Sequence, residues 1–257
     1  MNDIALAARQ VKFENKAFWR NPPAAFFTFV FPILFFVILT LIFGNGHTGP
    51  PGHAISQATF YVGAISAFSV ISACYTNIAI SVSFARDSGV LKRMRGTPMP
   101  AWVYLAARVA LSTLIGLLLV GILVLFGRIF YAVSIPTATM PAFIVSLIVG
   151  AATFCSLGLA VTALVSNADA APAVVNGMLF PIIFISGIFF PLTGAPRWLK
   201  DVANFFPVRH LVTALLTAFS PFTTGSGFRW GDLAVMAAWC VVGMLLSMRF
   251  FKWEPKV

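Results

Sequence analysis

Acid–base, nucleophilic and metal chemistry all need particular side chains brought within reach of one another. In these 257 residues such side chains are few: seven Asp and Glu, three His and three Cys. Cys74, Cys155 and Cys240 each sit in a separate apolar run, with no Cys-x-x-Cys and no His at ligand spacing. They read as small packing residues, not as a disulfide or a metal site. His47 and His53 lie six apart in a stretch rich in Gly and Pro, Gly44 to Ala58, and read as solvated loop residues. The acids scatter through termini and connections, giving no paired carboxylates, no His–acid couple and no nucleophile beside a base. There is no Gly-x-x-x-x-Gly-Lys-Ser/Thr phosphate loop. The expectation is a chain that is not an enzyme and binds no metal or cofactor of its own.

Composition explains the scarcity. Sixty per cent of the residues are hydrophobic and nine per cent charged, and the apolar residues lie in long runs that one water-soluble core could not hide. A net charge of +10 would suit nucleic acid, but the basic residues fill the gaps between apolar runs, where they read as membrane orientation signals; no nucleic-acid partner is expected. A hydrocarbon core of about 30 Å needs about 20 apolar helical residues. Spans are therefore expected near Ala24–Phe43, Thr59–Phe84, Trp102–Phe126, Pro141–Val165, Ala173–Phe190 and Leu233–Phe251. Arg108, about two turns inside the third, is expected to snorkel to the headgroups, as is Arg249 at the end of the sixth. The N-terminus carries no signal-peptide pattern. Six spans put both termini on one side. Of the 17 Lys and Arg, only five (Arg128, Arg197, Lys200, Arg209 and Arg229) then fall opposite the termini. The positive-inside rule thus places both termini in the cytoplasm of a multi-pass plasma-membrane protein. Asp169, in the turn Ser166–Pro172, is expected to cap the fifth span.

Three connecting segments are distinctive. In Ile4–Arg20, a helical period puts Arg9, Lys12, Lys16 and Arg20 on one face, with Ile4, Val11 and Phe18 opposite. That predicts an amphipathic helix in the headgroup layer, serving either as a lipid anchor or as a contact for a cytoplasmic partner. In Ala85–Pro100, Asp87 or Ser88 can cap a short helix, Gly96 can end it, and Pro98 and Pro100 forbid its continuation. Val90, Leu91 and Met94 would form an apolar knob ringed by Lys92, Arg93 and Arg95. A helix this short is marginal alone, so docking into another protein's groove competes with a loop that binds nothing. In Pro191–Asp232, the apolar piece Val208–Phe219 between Pro207 and Pro221 is too short to cross. With Pro196–Phe205 as a first arm it predicts an outer re-entrant helical hairpin, a gate or a packed lid.

These segments together resemble the permease subunits of type-2 ATP-binding-cassette (ABC) exporters, most closely the daunorubicin-resistance branch. The resemblance covers essentially the whole chain. It rests on the run Asp87-Ser88-Gly89-Val90-Leu91-Lys92-Arg93-Met94-Arg95-Gly96-Thr97-Pro98 after the second span. After the fifth it rests on Phe190-Pro191-Leu192, Pro196-Arg197-Trp198-Leu199 and Phe206-Pro207. Asp87 stands where Glu is more usual, and the family's later Arg has no clear counterpart, since Arg209-His210 comes early. The resemblance implies a single permease domain over residues 1–257: an interfacial helix 1–23, a six-helix membrane region 24–251 and a tail 252–257. It implies two copies of a separate ABC ATPase that bind ATP and Mg, and a second permease copy, identical or homologous. Asp87, Gly89, Val90, Leu91, Lys92, Arg93, Met94, Arg95 and Thr97 would couple to the ATPase, and the cargo would be an amphipathic drug or lipid-like molecule.

The second span is rich in hydroxyls, and the fifth carries Asn176, Phe180 and Phe184 four apart. Ser69, Thr76, Asn77, Asn176, Phe180 and Phe184 are candidates to line a path, helix–helix packing being the alternative. Pro191, Trp198 and Pro207 are candidates for an outer gate. A secondary carrier would need a buried acid or His for ion coupling, and an intramembrane enzyme a convergent catalytic cluster. Neither is visible in the sequence.

Overall fold

The computed structural model describes residues 3–43, 46–48, 54–96 and 100–251. Eleven α-helices account for most of them. Helix α1 (Asp3–Trp19) precedes α2 (Pro22–Phe43), which opens on proline at a position where its missing N–H costs nothing. A two-residue antiparallel ladder, β1 (His47–Thr48) with β2 (Ile55–Ser56), leads into α3 (Gln57–Ile71). The Ser56 hydroxyl caps α3 by accepting the Thr59 N–H at 3.2 Å. One turn of π-helix, Ser72–Thr76, joins α3 to α4 (Asn77–Asp87), so the second span is one 31-residue rod. Then come α5 (Val90–Arg95), α6 (Ala101–Tyr131), α7 (Met140–Val161), α8 (Ala171–Ile185), α9 (Arg197–Phe205), α10 (Pro207–Phe219) and α11 (Trp230–Phe250).

Among the described residues, five helical stretches are long and apolar enough to cross a membrane: α2, α3–α4, α6, α7 and α11. Expected boundaries need correction: the second span runs on from Phe84 to Asp87, and the helix of the fourth ends at Val161, short of Val165. The third span continues to Tyr131, because nothing in Phe126–Tyr131 breaks a helix. The sixth begins at Trp230 and so takes in Asp232. The fifth is the largest departure. Helix α8 has 15 residues, about 22 Å, and stops before Ser186-Gly187, where Gly187 takes φ +87°.

The α3 rod is the centre of the bundle: every residue from Phe60 to Ile71 is buried. It packs against α2, α6 and α10, while its π turn and α4 meet α7. Close approach there depends on Gly158 of α7, since a Cβ at that position would lie 2.8 Å from the Tyr75 carbonyl oxygen. Helix α7 pairs along most of its length with α11, whereas α8 leans chiefly on α4 and α9.

Helices α9 and α10 meet at Phe206 with a bend of 96°. The elbow stands level with the middle of α7 and α11. At the far end of α10, the Ala218 carbonyl accepts the Thr139 hydroxyl at 2.7 Å, beside the head of α7. Nearer the elbow, Leu211 packs over Gly150. Thr139 to Gly150 is about 16 Å of helical rise, roughly half the length of α7. The Trp239 indole N–H, about 14 Å along α11, donates to the Phe205 carbonyl at 2.9 Å.

Candidate functional site

Two constellations tie helices together, and neither lies in a single sequence motif. The first is the corner where α4 runs into α5. Arg86 is 1% exposed and reaches across to the end of α7. One guanidinium nitrogen donates to the Thr162 carbonyl at 2.9 Å and another to the Val165 carbonyl at 2.7 Å. The last carbonyls of a helix have no partner within it, so a cation placed there satisfies both charge and hydrogen bonding. Next to it, an Asp87 carboxylate oxygen accepts the Ala168 N–H at 2.9 Å. The last two residues of α4 therefore hold both sides of the turn between α7 and α8. Asp169, expected to cap α8, is exposed and makes no cap. Asn167 does the local work, accepting the Ala170 N–H at 2.8 Å.

Beyond that corner the chain turns at Gly89, whose φ of +70° an L side chain would resist. Neither Asp87 nor Ser88 caps α5; the Ser88 hydroxyl instead donates back to the Phe84 carbonyl at 2.8 Å. Gly96 ends the helix as its composition suggested. The expected outward apolar knob is reversed. Leu91 is fully buried within this chain's own core, and Val90 and Met94 are half-buried against it. What α5 presents outward is Lys92 and Arg93. The physical reason is that the apolar side of so short a helix is needed to hold it against its own bundle. Thr97 and the side chain of Arg95 lie outside what the structure describes.

The second constellation fixes the elbow. His210 Nδ1 lies 2.6 Å from Asp232 Oδ1, and its Nε2 lies 2.7 Å from the Asn204 carbonyl oxygen. Both ring nitrogens face oxygen atoms, an arrangement that a doubly protonated imidazole would satisfy. Arg229 Nε donates to the other Asp232 oxygen at 2.8 Å. Arg209 donates to the Ser186 carbonyl at 3.4 Å, at the end of α8. One turn of α10 thus binds α8, α9 and α11. The sequence sets His210 in the apolar arm Val208–Phe219 and Asp232 at the end of the outer segment, and the expectation that no acid and His meet is corrected here. Their pairing depends on the elbow, which brings α10 back beside the head of α11.

Other expected site residues separate. Ser69 is fully buried, its hydroxyl donating to the Ile65 carbonyl at 2.7 Å. Thr76 is half-buried at the end of the π turn. Asn77 lines a polar cavity of about 210 Å³ between α1, α4 and α6, with Ser81, Ser112, Glu14 and Arg108. Arg108 pairs with Glu14 of α1 at 3.4 Å and lies 5.0 Å from the Tyr104 ring centroid, one turn nearer the start of α6. Arg9, Lys12, Lys16 and Arg20 are exposed, on or just beyond the helix α1 that packs on α6. On α8, Asn176 is half-buried while Phe180 and Phe184 are exposed. The structure does not gather Asn77 and the α8 residues into one cavity within a single chain. Pro207 is buried at the elbow, Trp198 is 65% exposed at the opposite end of α9, and half-buried Pro191 precedes a short 3-10 turn. His47 is exposed in β1, and His53 lies outside the described residues. No group of three or more metal-ligating side chains occurs among the described residues.

The family model described as ABC-2 type transporter matches residues 5–220, from the start of α1 to the end of α10. The chain belongs to the ABC-2 type transporter family. Both constellations lie almost wholly inside the matched segment, Arg229 and Asp232 alone falling beyond it. Among relatives, this ABC-2 transporter chain is 22% identical to the provisionally named transport permease YvfS of Bacillus subtilis, over 91% of this chain and 92% of that protein. It is 26% identical to the inner membrane transport permease YadH of Escherichia coli (strain K12), over 81% of this chain and 76% of that one.

Proposed function

We propose that the chain is the membrane permease of an ATP-driven exporter, with ATP and magnesium bound by two separate ATPase subunits that engage the outward face of α5. Family membership supports the transport role. The observation that carries the mechanism is the Arg86–Asp87 corner. A push on α5 reaches α4 through a loop of two residues, and α4 is hydrogen-bonded to both sides of the α7–α8 turn. Coupling of this kind requires the ATPase to make different contacts in two states of the permease. Lys92 and Arg93 suit an acidic rim on the partner.

A second copy of the chain fits against α8. Ala173, Gly177, Phe180 and Phe184 form an exposed stripe along it, spaced as one helix face. With Asn176 beside it, this stripe would meet an amphipathic drug or lipid-like cargo, the class taken by daunorubicin-type permeases. The termini lie on the cytoplasmic side in this reading, and the basic face of α1 rests on anionic headgroups. The α9–α10 elbow then enters from outside to about mid-membrane, where Pro207 forms the inner tip of an outer gate.

One observation favours a rival. The His210–Asp232 pair is the kind of buried couple that an ion-coupled carrier uses. Both readings are tested by reconstituting the permease in proteoliposomes with and without its ATPase. Transport that needs ATP and the ATPase, and survives collapse of ion gradients, supports the exporter. Transport by the permease alone, driven by a proton gradient, supports the carrier.

A further inference from the structure

Below the elbow, a half-open groove of about 600 Å³ separates α8 from α7 and α11. Its roof is Phe206, Pro207 and Trp239. Phe154, Leu157 and Ala160 of α7 form one wall, and Met178, Leu179 and Ile182 of α8 the other. Leu164, Leu246 and Phe250 stand at its open end, all of them exposed.

The groove suits neither water nor a packed side chain. Of the residues lining it, only Tyr75 and Trp239 carry polar side-chain atoms, and the Trp239 N–H is already committed to the Phe205 carbonyl. A buried water needs two to four polar partners. The dimensions point to something else. From Trp239 to Phe250 is about 16 Å of helix, and half of a hydrocarbon core is about 15 Å. The groove therefore runs from the middle of the membrane to one headgroup layer. At that layer stands Arg249, exposed, with its guanidinium carbon 5.8 Å from the ring centroid of Phe250.

We propose that this groove binds one acyl chain of an anionic phospholipid, drawn from the leaflet at the C-terminal end of α11, with the lipid phosphate held by Arg249. The lipid replaces packing that α8 lacks, since α8 is braced by α4 and α9 and leaves its α7-facing side open. Charge complementarity sets the headgroup class, and the one-leaflet length and apolar walls set the chain. A second copy of the permease is a poorer occupant, because the exposed stripe of Phe180 and Phe184 lies off the groove lining. The proposal rests on the membrane placement of these helices and not on how transport is driven.

Trp239 at the roof reports occupancy. The purified full chain is placed in phosphatidylcholine nanodiscs doped with lipid brominated near the chain end. The Trp239 signal is the emission of the parent minus that of Trp239→Phe. Brominated phosphatidylglycerol should quench this signal at a mole fraction about fivefold lower than brominated phosphatidylcholine, the preference one interfacial arginine supplies. Arg249→Gln should abolish the preference, and Ala160→Phe, which fills the groove, should abolish quenching by both lipids. Equal quenching by both lipids in the parent would mean ordinary boundary lipid and would overturn the proposal. So would a Trp239 signal that neither lipid quenches, and spontaneous Leu246→Cys disulfide dimers would then identify a second copy as the cover. Should Ala160→Phe not fold, the Arg249→Gln comparison decides alone.

Discussion

Replacing Arg86 by Met keeps a long side chain in place and removes its two hydrogen bonds to Thr162 and Val165. A hydrogen bond involving a charged group contributes about 1.5–3 kcal/mol, so the pair accounts for roughly 3–6 kcal/mol gross. Part is offset, because a buried guanidinium bears a desolvation penalty that Met does not, and its Nε is already without a hydrogen-bond partner. A net loss of about 2–4 kcal/mol is expected, since the two carbonyls are left facing an apolar chain. Lysine can satisfy one carbonyl at a time, so Arg86→Lys should lose about half as much. The chain supplies its own reporters: Cys74, Cys155 and Cys240 are all free and buried. A thiol-reactive dye will follow their exposure on heating. At roughly 2–4 °C per kcal/mol for a chain of this size, Arg86→Met should melt about 4–16 °C lower, with Arg86→Lys in between. In the assembled complex at a temperature where both variants are folded, substrate-stimulated ATPase should fall while basal ATPase persists. Melting within about 1 °C of the parent, with stimulation intact, would refute the argument that this corner transmits movement.

Three further outcomes are expected. Leu91→Asp should destabilise the chain by about 3 kcal/mol or more, because it buries an unpaired carboxylate, whereas Lys92→Glu with Arg93→Glu should leave melting unchanged and weaken recovery of the ATPase in pull-downs; the reverse pattern would show that the apolar side of α5 faces outward. Asp232→Asn should lower stability by about 3 kcal/mol by leaving His210 and Arg229 without their shared anion, measured by the same thiol melt; a change under about 0.5 kcal/mol would mean the cluster is solvated. Phe180→Ala with Phe184→Ala should leave the monomer's melt within about 1 kcal/mol, because both rings are exposed, while reducing cross-linked dimer or altering the cargo profile; unchanged dimer and profile would remove α8 from the two-fold interface and from the path.

Much of the scaffold was legible because apolar run length is a direct physical consequence of spanning hydrocarbon. The runs that became α2 and α7, the glycine that ends α5 and the two arms of the elbow all follow from local patterns. The partners of Arg86 were not legible. An Arg beside a cytoplasmic loop reads as an orientation charge, and its acceptors are backbone carbonyls 76 and 79 residues away. Backbone acceptors leave no residue-type signal. His210 and Asp232 were hidden in the same way, since only the bend at Phe206 brings a residue of α10 beside the head of α11. Leu91 was misjudged because a two-turn helix carries its apolar residues equally well inward or outward, and tertiary packing alone decides. The Glu14 partner of Arg108 was not legible either, because it lies on a different helix, 94 positions earlier.

In the proposed mechanism α5 receives force from a separate ATPase on the cytoplasmic side. Lys92→Cys places a thiol on the exposed face of that helix, in a chain whose native cysteines are buried. A short cross-linker attached there in intact membranes should capture the ATPase subunit, with a yield that changes on adding ATP, while an impermeant thiol reagent outside the cell leaves the position unlabelled. Labelling from outside, or a fully folded complex in which the introduced thiol never cross-links to the ATPase, would contradict the account.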